Sequence, residues 1–427
     1  MRLATRRILY LIAFALFFII AGLVALYAAG LRYNLDRGLI ERVGVFYIKS
    51  YPEGASIFLN GRPTDKKTPQ RILNLAPGAY AVSVERSTYG TWSKSLEIKA
   101  GQTTFVRDIV LFKEFPQFAS LSAGGSDFVR RPDGTSYVYI ATDGSIHLTN
   151  VENEKDFVIE SESEPSRIDA ISPDGSKLIY SSLTGLHILD INSEIETDIS
   201  VQSTLIKKIV WDDSAADVIW ILHDTDLLQY NIFTGSIMQL LPNVRDFLVT
   251  NGHLSTIELH DSSYAVTVYG ATANQSTVSY ALTGASEPRL TFVSDQLIMY
   301  SDASRVWILT RATSAIERFD AQSHLLHDQR LLLADIFEEA IYYLDTKKTE
   351  LIDRHSDKTA TIEWHPSGSY FLRHIADRVE LVELDGRDIR NMHVIDRIPI
   401  DAQFSFNLEG SRLFVFNSTT NGFYTIQ

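Results

Sequence analysis

One nine-residue pattern returns along most of this 427-residue chain and constrains its architecture more than any other feature. Arg131-Pro132-Asp133-Gly134-Thr135-Ser136-Tyr137-Val138-Tyr139 recurs 41 residues later as Ser172-Pro173-Asp174-Gly175-Ser176-Lys177-Leu178-Ile179-Tyr180. Trp211-Asp212-Asp213-Ser214, ahead of Val218-Ile219-Trp220, keeps the spacing. Trp364-His365-Pro366-Ser367-Gly368-Ser369-Tyr370-Phe371-Leu372 and Phe406-Asn407-Leu408-Glu409-Gly410-Ser411-Arg412-Leu413-Phe414 repeat it, with their glycines 42 apart. The shared chemistry is a turn. Proline fixes φ, Asp or Ser offers a side-chain acceptor, and glycine takes positive φ before a buried apolar strand. A period near 40 residues with only strand signals predicts propeller blades of four strands each. Strand groups starting near residues 124, 165, 205, 244, 287, 321, 357 and 397 divide residues 115–427 into eight blades, with seven as the alternative. Between Asn243 and Thr349 the motif is degenerate, and the grouping rests on strands alone. The last group lacks an outer strand. Phe115-Pro116-Gln117-Phe118-Ala119-Ser120-Leu121 is placed to supply it and so remove an open sheet edge.

The N-terminus has a different physical character. Ile8–Ala29 is a run of 22 residues without a charged side chain. A helix of that length crosses the ~30 Å hydrocarbon core of a bilayer. Arg2, Arg6 and Arg7 precede it, so the positive-inside rule puts residues 1–7 in the cytoplasm, a helix at 8–30 and the bulk outside. Arg32, Arg37 and Arg42, partly offset by Asp36 and Glu41, pull against that orientation. A cleaved signal peptide has an apolar region of only ~7–15 residues before a small-x-small site. Here Leu26 and Tyr27 interrupt such a site among Ala25, Ala28 and Ala29. The expectation is an uncleaved single-pass anchor, then a juxtamembrane linker over 31–43.

After residue 43 the pattern becomes period two, with strands at Val45–Ile48, Ser56–Leu59, Ala79–Val84, Ser95–Ile98 and Phe105–Leu111. Asn60-Gly61 between apolar runs is a hairpin signal. Five to six short strands in about 70 residues predict a small sandwich. Within it, Tyr51-Pro52-Glu53-Gly54-Ala55 carries the four-residue signature of the PEGA domain. Ser50, Asn60-Gly61, Thr68-Pro69, Leu75-Ala76-Pro77-Gly78-Ala79-Tyr80, Tyr89, Trp92, Gly101 and Leu111 fit the surrounding frame. Residues 44–114 therefore resemble a PEGA domain, with Lys66-Lys67 and Thr88 departing from the family's turn glycines. The resemblance implies a surface or envelope module. Pro52 and Gly54 read as turn residues, and Glu53 as a solvated carboxylate without a paired acid. The Ser172–Leu178 run likewise resembles the WD-repeat-like blades of TolB-type propellers. The fold class is thus all-β with one N-terminal transmembrane helix: a PEGA-like sandwich, then a propeller.

The search for chemistry finds no catalytic, cofactor-binding or metal motif. The chain has no cysteine, which excludes a disulfide framework, a zinc–cysteine site and thiol catalysis. There is no Gly-x-Ser-x-Gly elbow, phosphate-binding loop or His-Glu-x-x-His. His355, His365 and His374 read as turn or surface histidines. Asp133, Asp143 and Asp174 lack the compact spacing of a calcium loop, and Asp212-Asp213 read as turn residues. The formal charge of −14 hides a division. Residues 1–114 hold 16 Lys or Arg against 8 Asp or Glu, and residues 115–427 hold 23 against 45. This acidity argues against a nucleic-acid partner. Solubility accounts for the acidic part. Arg62, Lys66, Lys67 and Arg71 suit anionic headgroups or wall polymer. The expected function is a non-catalytic binding or scaffolding platform of a bacterial envelope, anchored by Ile8–Ala29, with a protein or cell-wall glycan partner. The alternatives are a propeller hydrolase acting on glycan or peptide, which would need converging carboxylates, or an envelope sensor, for which the seven-residue tail is short.

Overall fold

The computed structural model describes residues 3–28, 30–34, 39–122, 124–269 and 276–427. Arg2, Ala29, Asp36 and Arg37 of the membrane and linker readings lie outside the described residues. Leu3–Ala28 is one α-helix, as a run free of proline and charge after Arg7 dictates. Gly30, at φ +75°, donates its N–H to the Tyr27 carbonyl and closes the last turn. Tyr10–Ala28 has a mean hydropathy of 2.7 and none of it is buried. It is consistent with a single-pass membrane anchor, by length and composition.

The chain divides into two compact units: residues 1–116 with 382–393 and 427, and residues 117–381 with 394–426. In the first unit the stretch read as a linker contains a hairpin, Leu31–Asn34 paired with Leu39–Arg42. The β domain beyond it has two sheets. One orders Arg62–Lys67, Ser56–Leu59, Gly78–Glu85 and Trp92–Ile98; the other orders Gln70–Leu75, Gly44–Tyr51 and Thr103–Val110, the last pair parallel. Alternate residues of both sheets, among them Phe46, Ile48, Ile57, Val84, Trp92 and Leu96, meet in one core. Asn60 and Gly61 take φ +50° and +75°, the two positive angles a type I′ hairpin turn needs. Segment 382–393 joins this unit through polar contacts. Glu383 accepts from Trp92 Nε1 at 2.9 Å and pairs with Lys94 at 3.1 Å, both side chains almost wholly buried. Lys94 Nζ also donates to the Asp385 and Ile389 carbonyls.

Beyond residue 116, and among the described residues, eight four-stranded antiparallel sheets follow one another. Seven are meanders, spanning residues 125–159, 165–199, 206–241, 244–282, 289–320, 323–354 and 359–396; they are numbered sheets 1 to 7. The eighth orders Gln117–Ser122, Asn421–Thr425, Arg412–Phe416 and Gln403–Phe406. Its outer strand comes from the start of the unit, with Gln117 opposite Thr425 and Ala119 opposite Phe423. This is the place expected for residues 115–121. Second strands such as Ser136–Ala141 and Tyr370–Ile375 are buried on both faces, so they read as continuous apolar runs. Apolar clusters lie between neighbouring sheets. Val138 and Ile146 meet Leu178 and Tyr180, and Tyr137 and Tyr139 of sheet 1 meet Phe414 and Phe416 of sheet 8. The ring therefore closes on itself.

Candidate functional site

The repeated turns have one geometry. Gly134, Gly175, Gly368 and Gly410 stand at φ +69°, +71°, +63° and +72°. Each donates its N–H to the carbonyl three residues back: Arg131, Ser172, His365 and Asn407. Asp133 Oδ1 accepts the N–H groups of Thr135 and Ser136 at 2.9 and 2.8 Å. Asp174 Oδ1 accepts from Ser176 N and Ser172 Oγ, and these bonds, chiefly the one from Ser172, hold its carboxyl down at about 2. Pro132, Pro173 and Pro366 take the second place of each turn, where proline's fixed φ is favoured. The turns also touch one another. Arg131 Nε donates to the Gly175 carbonyl at 3.0 Å, Arg330 to that of Gly368 at 2.6 Å, and His365 Nε2 to that of Gly410 at 3.1 Å. Asp213 accepts from Asn251 N and Gly252 N, while Asp212 accepts from Ser214 N, Ala215 N and Trp220 Nε1. Motif residues thus bond sheet to sheet.

The PEGA signature is equally structural. Ser50 Oγ lies 2.6 Å from Thr68 Oγ1 and donates to the Pro52 carbonyl. Thr68 Oγ1 accepts from the N–H of the buried Ala55, and its carbonyl accepts from Gly54 N. Glu53 is exposed, with its backbone carbonyl accepting from Arg86. Asn60 Oδ1 accepts from Ala81 N at 2.9 Å, tying the hairpin turn to the next strand.

Sequence reading missed a second repeated device. In sheet 1, Ser145 Oγ is 2.9 Å from His147 Nε2, and His147 Nδ1 is 2.7 Å from Asp156, which also accepts from Tyr139 and Thr149. In sheet 2, Ser182 Oγ is 2.6 Å from His187 Nε2. His187 Nδ1 lies 2.8 Å from Asp198 and 3.0 Å from Glu196. Glu196 accepts from Tyr180 OH at 2.6 Å and from Glu162 N. Burial and then Glu196 push the Tyr180 hydroxyl up; burial raises Glu196, but its hydrogen bonds outweigh that and hold it low. The order Ser–His–acid is that of a nucleophile triad. The histidine and the acid stand on the third and fourth strands of two adjacent sheets, each histidine ring lies against the tyrosine of the second strand, and the pair locks these strands together; Ser145 lies between the second and third strands and Ser182 ends the second. The signal was present: His147 and His187 are 40 apart, as are Asp156 and Glu196. Among the described residues, His187, Glu196 and Asp198 are also the one group whose donor atoms approach closely enough to hold a metal ion.

The histidines expected on turns or the surface are not all there. His365 and His374 are 1% and 0% exposed. The Pro366 turn packs under sheet 8, so His365 is enclosed by Phe406 and Gly410; burial brings its ring down to about 4, against the Gly410 hydrogen bond. His374 lies edge-on to Phe404. His355 joins a buried network that spacing could not reveal. Arg373 reaches Glu380, Glu339 and Asp353 at 2.7–2.8 Å, and Glu339 also binds His355 and Thr359. Glu363, on the first strand of sheet 7, is pushed up to about 7 by burial, with Arg130 opposing. Clefts of this unit carry mixed ionic linings. One of about 520 Å³ is lined by Gln322, Asp335, Asp357, Lys358 and Ile400; one of about 920 Å³ is lined by Lys207, Lys208, Arg245, Asp246 and Arg289.

Comparison with known proteins fits this geometry. Residues 43–111 match the PEGA domain family. The C-terminal WD40 domain of Sif2 is similar at a TM-score of 0.56 and 13% identity, over 73% of this chain and 98% of that one. The Dos1 propeller is similar at 0.52 and 12%, over 74% and 95%. The dihydro-heme d1 dehydrogenase NirN, in complex with DHE, is similar at 0.50 and 12%, over 67% and 69%. At these identities the likeness shows the fold alone: a β-propeller follows the PEGA domain. No curated protein matches the sequence significantly.

Proposed function

We propose that this chain is a membrane-anchored, extracytoplasmic binding or scaffolding protein of a bacterial cell envelope, non-catalytic, whose eight sheets are the blades of one propeller. The carrying observation is the conjunction of a wholly exposed 19-residue apolar stretch with a PEGA domain and a propeller in one chain. Arg2, Arg6 and Arg7 ahead of the uncharged run Ile8–Ala29 support a cytoplasmic N-terminus. The polar groups of the repeat are engaged in turns and strand locks, which leaves loops and clefts as the functional surface. Photo-crosslinking from exposed loop positions of the full-length protein in intact cells, followed by membrane fractionation, tests the reading. It expects carbonate-resistant membrane association and discrete crosslinked partners. A freely soluble protein without partners would sink it.

The hydrolase alternative has one observation in its favour, the Ser182–His187–Asp198 chain. Turnover of a chromogenic ester or glycoside that Ser182→Ala abolishes, in a variant with an unchanged melting curve, would favour it.

A further inference from the structure

Building on that binding role, we propose that the cleft at the first strands of sheets 3, 4 and 5 docks an acidic, partly apolar peptide segment of a partner protein. The cleft measures about 920 Å³, and its ionic lining is Lys207, Lys208, Arg245 and Arg289 against Asp246 and Glu287. Asp246 is already used internally: one carboxylate oxygen holds Lys208 Nζ at 2.8 Å and the other accepts Leu290 N at 2.7 Å. Lys208 Nζ also donates to the Phe247 carbonyl at 2.6 Å and sits over that ring, 5.3 Å from its centroid. It is a fixed charge. Lys207 pairs with the exposed Asp224 at 3.2 Å, a contact worth little in water. Arg245 and Arg289 are exposed and make no ion pair among the described residues.

These four cations lie in a segment, 115–427, where acids outnumber bases 45 to 23. An acidic partner is repelled by most of that surface and drawn to this cleft, whose lining holds more cations than acids. Guanidinium groups bind carboxylates through two parallel hydrogen bonds, which gives orientation as well as attraction. Leu222, Leu259, Tyr264 and Leu290 supply apolar wall between the charges. The volume equals about thirty waters at ~30 Å³ each, far more than an inorganic anion fills. It stands near the top of the ~300–1,000 Å³ range of ligand pockets. A chain segment with carboxylates and apolar side chains matches both features.

Fluorescence anisotropy of a labelled alternating Glu–Leu hexapeptide against the detergent-solubilised full chain tests this. Saturable binding is expected, weakened at least tenfold by paired Arg245→Glu and Arg289→Glu, and weakened again when salt rises from about 50 to about 500 mM. The exposed double variant should keep the parent's circular dichroism and melting curve. Arg245→Gln with Arg289→Gln provides a milder pair, with an intermediate loss. Equal binding of a Gln–Leu hexapeptide, or binding that both arginine pairs leave unchanged, overturns the proposal. Displacement of the peptide by pyrophosphate at equal or lower concentration assigns the cleft to phosphate and overturns the peptide occupant. Crosslinked partners that persist in cells carrying the double variant end this proposal while the platform reading stands. Absence of crosslinked partners from the parent protein, beside saturable peptide binding by the purified chain, ends the platform reading alone.

Discussion

Gly368 and Gly54 both stand at positive φ, yet a methyl group would meet different fates at the two. At Gly368 an added Cβ would lie 2.5 Å from His327 Nε2, and at Gly54 nothing lies within 4 Å. Left-handed backbone alone costs an L-residue roughly 1–2 kcal/mol. Gly54→Ala should therefore lose about that much, and Gly368→Ala clearly more; parallel urea titrations measure the difference. His365 and Glu363 set opposite pH dependences. The ring of His365 titrates at about 4 in the folded chain against 6.5 ordinarily. Its contribution is complete above pH 6.5 and drains away as pH falls toward 4, up to ~3 kcal/mol in all. Glu363 moves from 4.5 to about 7, so its contribution is complete below pH 4.5 and is lost as pH rises through 7. Denaturation midpoints from pH 4 to 8 should show both limbs. His365→Gln, which keeps a donor for Gly410, should flatten the acid limb, and Glu363→Gln the alkaline one. The Pro-Asp-Gly turns were legible in sequence because their chemistry is local, three residues closing on themselves. The Arg373 network was not, because Glu339, Asp353 and Glu380 reach it from other strands.

Elements with one buried face announced themselves. Trp92–Ile98 alternates perfectly between buried and exposed, and the second strands of the sheets are continuous apolar runs. Arg62–Lys67 did not. It is an edge strand, exposed along nearly all its length, with a proline and two lysines, so it carries no hydrophobic period. The hairpin at Leu31–Arg42 escaped for want of any such pattern. The 382–393 segment shows how an element can be held by charge. Removing one partner of a buried ion pair leaves the other unpaired, at a cost of ~3–5 kcal/mol. Lys94→Met should therefore loosen this segment, read as faster proteolysis between residues 384 and 391. Lys94→Met combined with Glu383→Gln should recover much of the protection, since Gln can still accept from Trp92 Nε1.

At the scale of the whole molecule the question is how the chain is held and completed. An uncleaved anchor predicts an intact mass of 48.1 kDa for the membrane-associated protein, and a cleaved leader predicts a smaller one; mass spectrometry of the membrane fraction decides. Completion depends on the strand Gln117–Ser122 and its partner Asn421–Thr425. Proline at Ala119, opposite Phe423, removes a ladder donor and clashes with the sheet. Ala119→Pro should leave residues 412–425 open to protease while the earlier sheets resist. The same pairing also fixes a schedule. A ribosome adding ~5–20 residues per second makes the outer strand roughly 15–60 s before it makes the strand that covers it. For that interval Gln117–Ser122 is a bare template beside a nascent chain, and what shields it then governs how much finished protein a cell obtains.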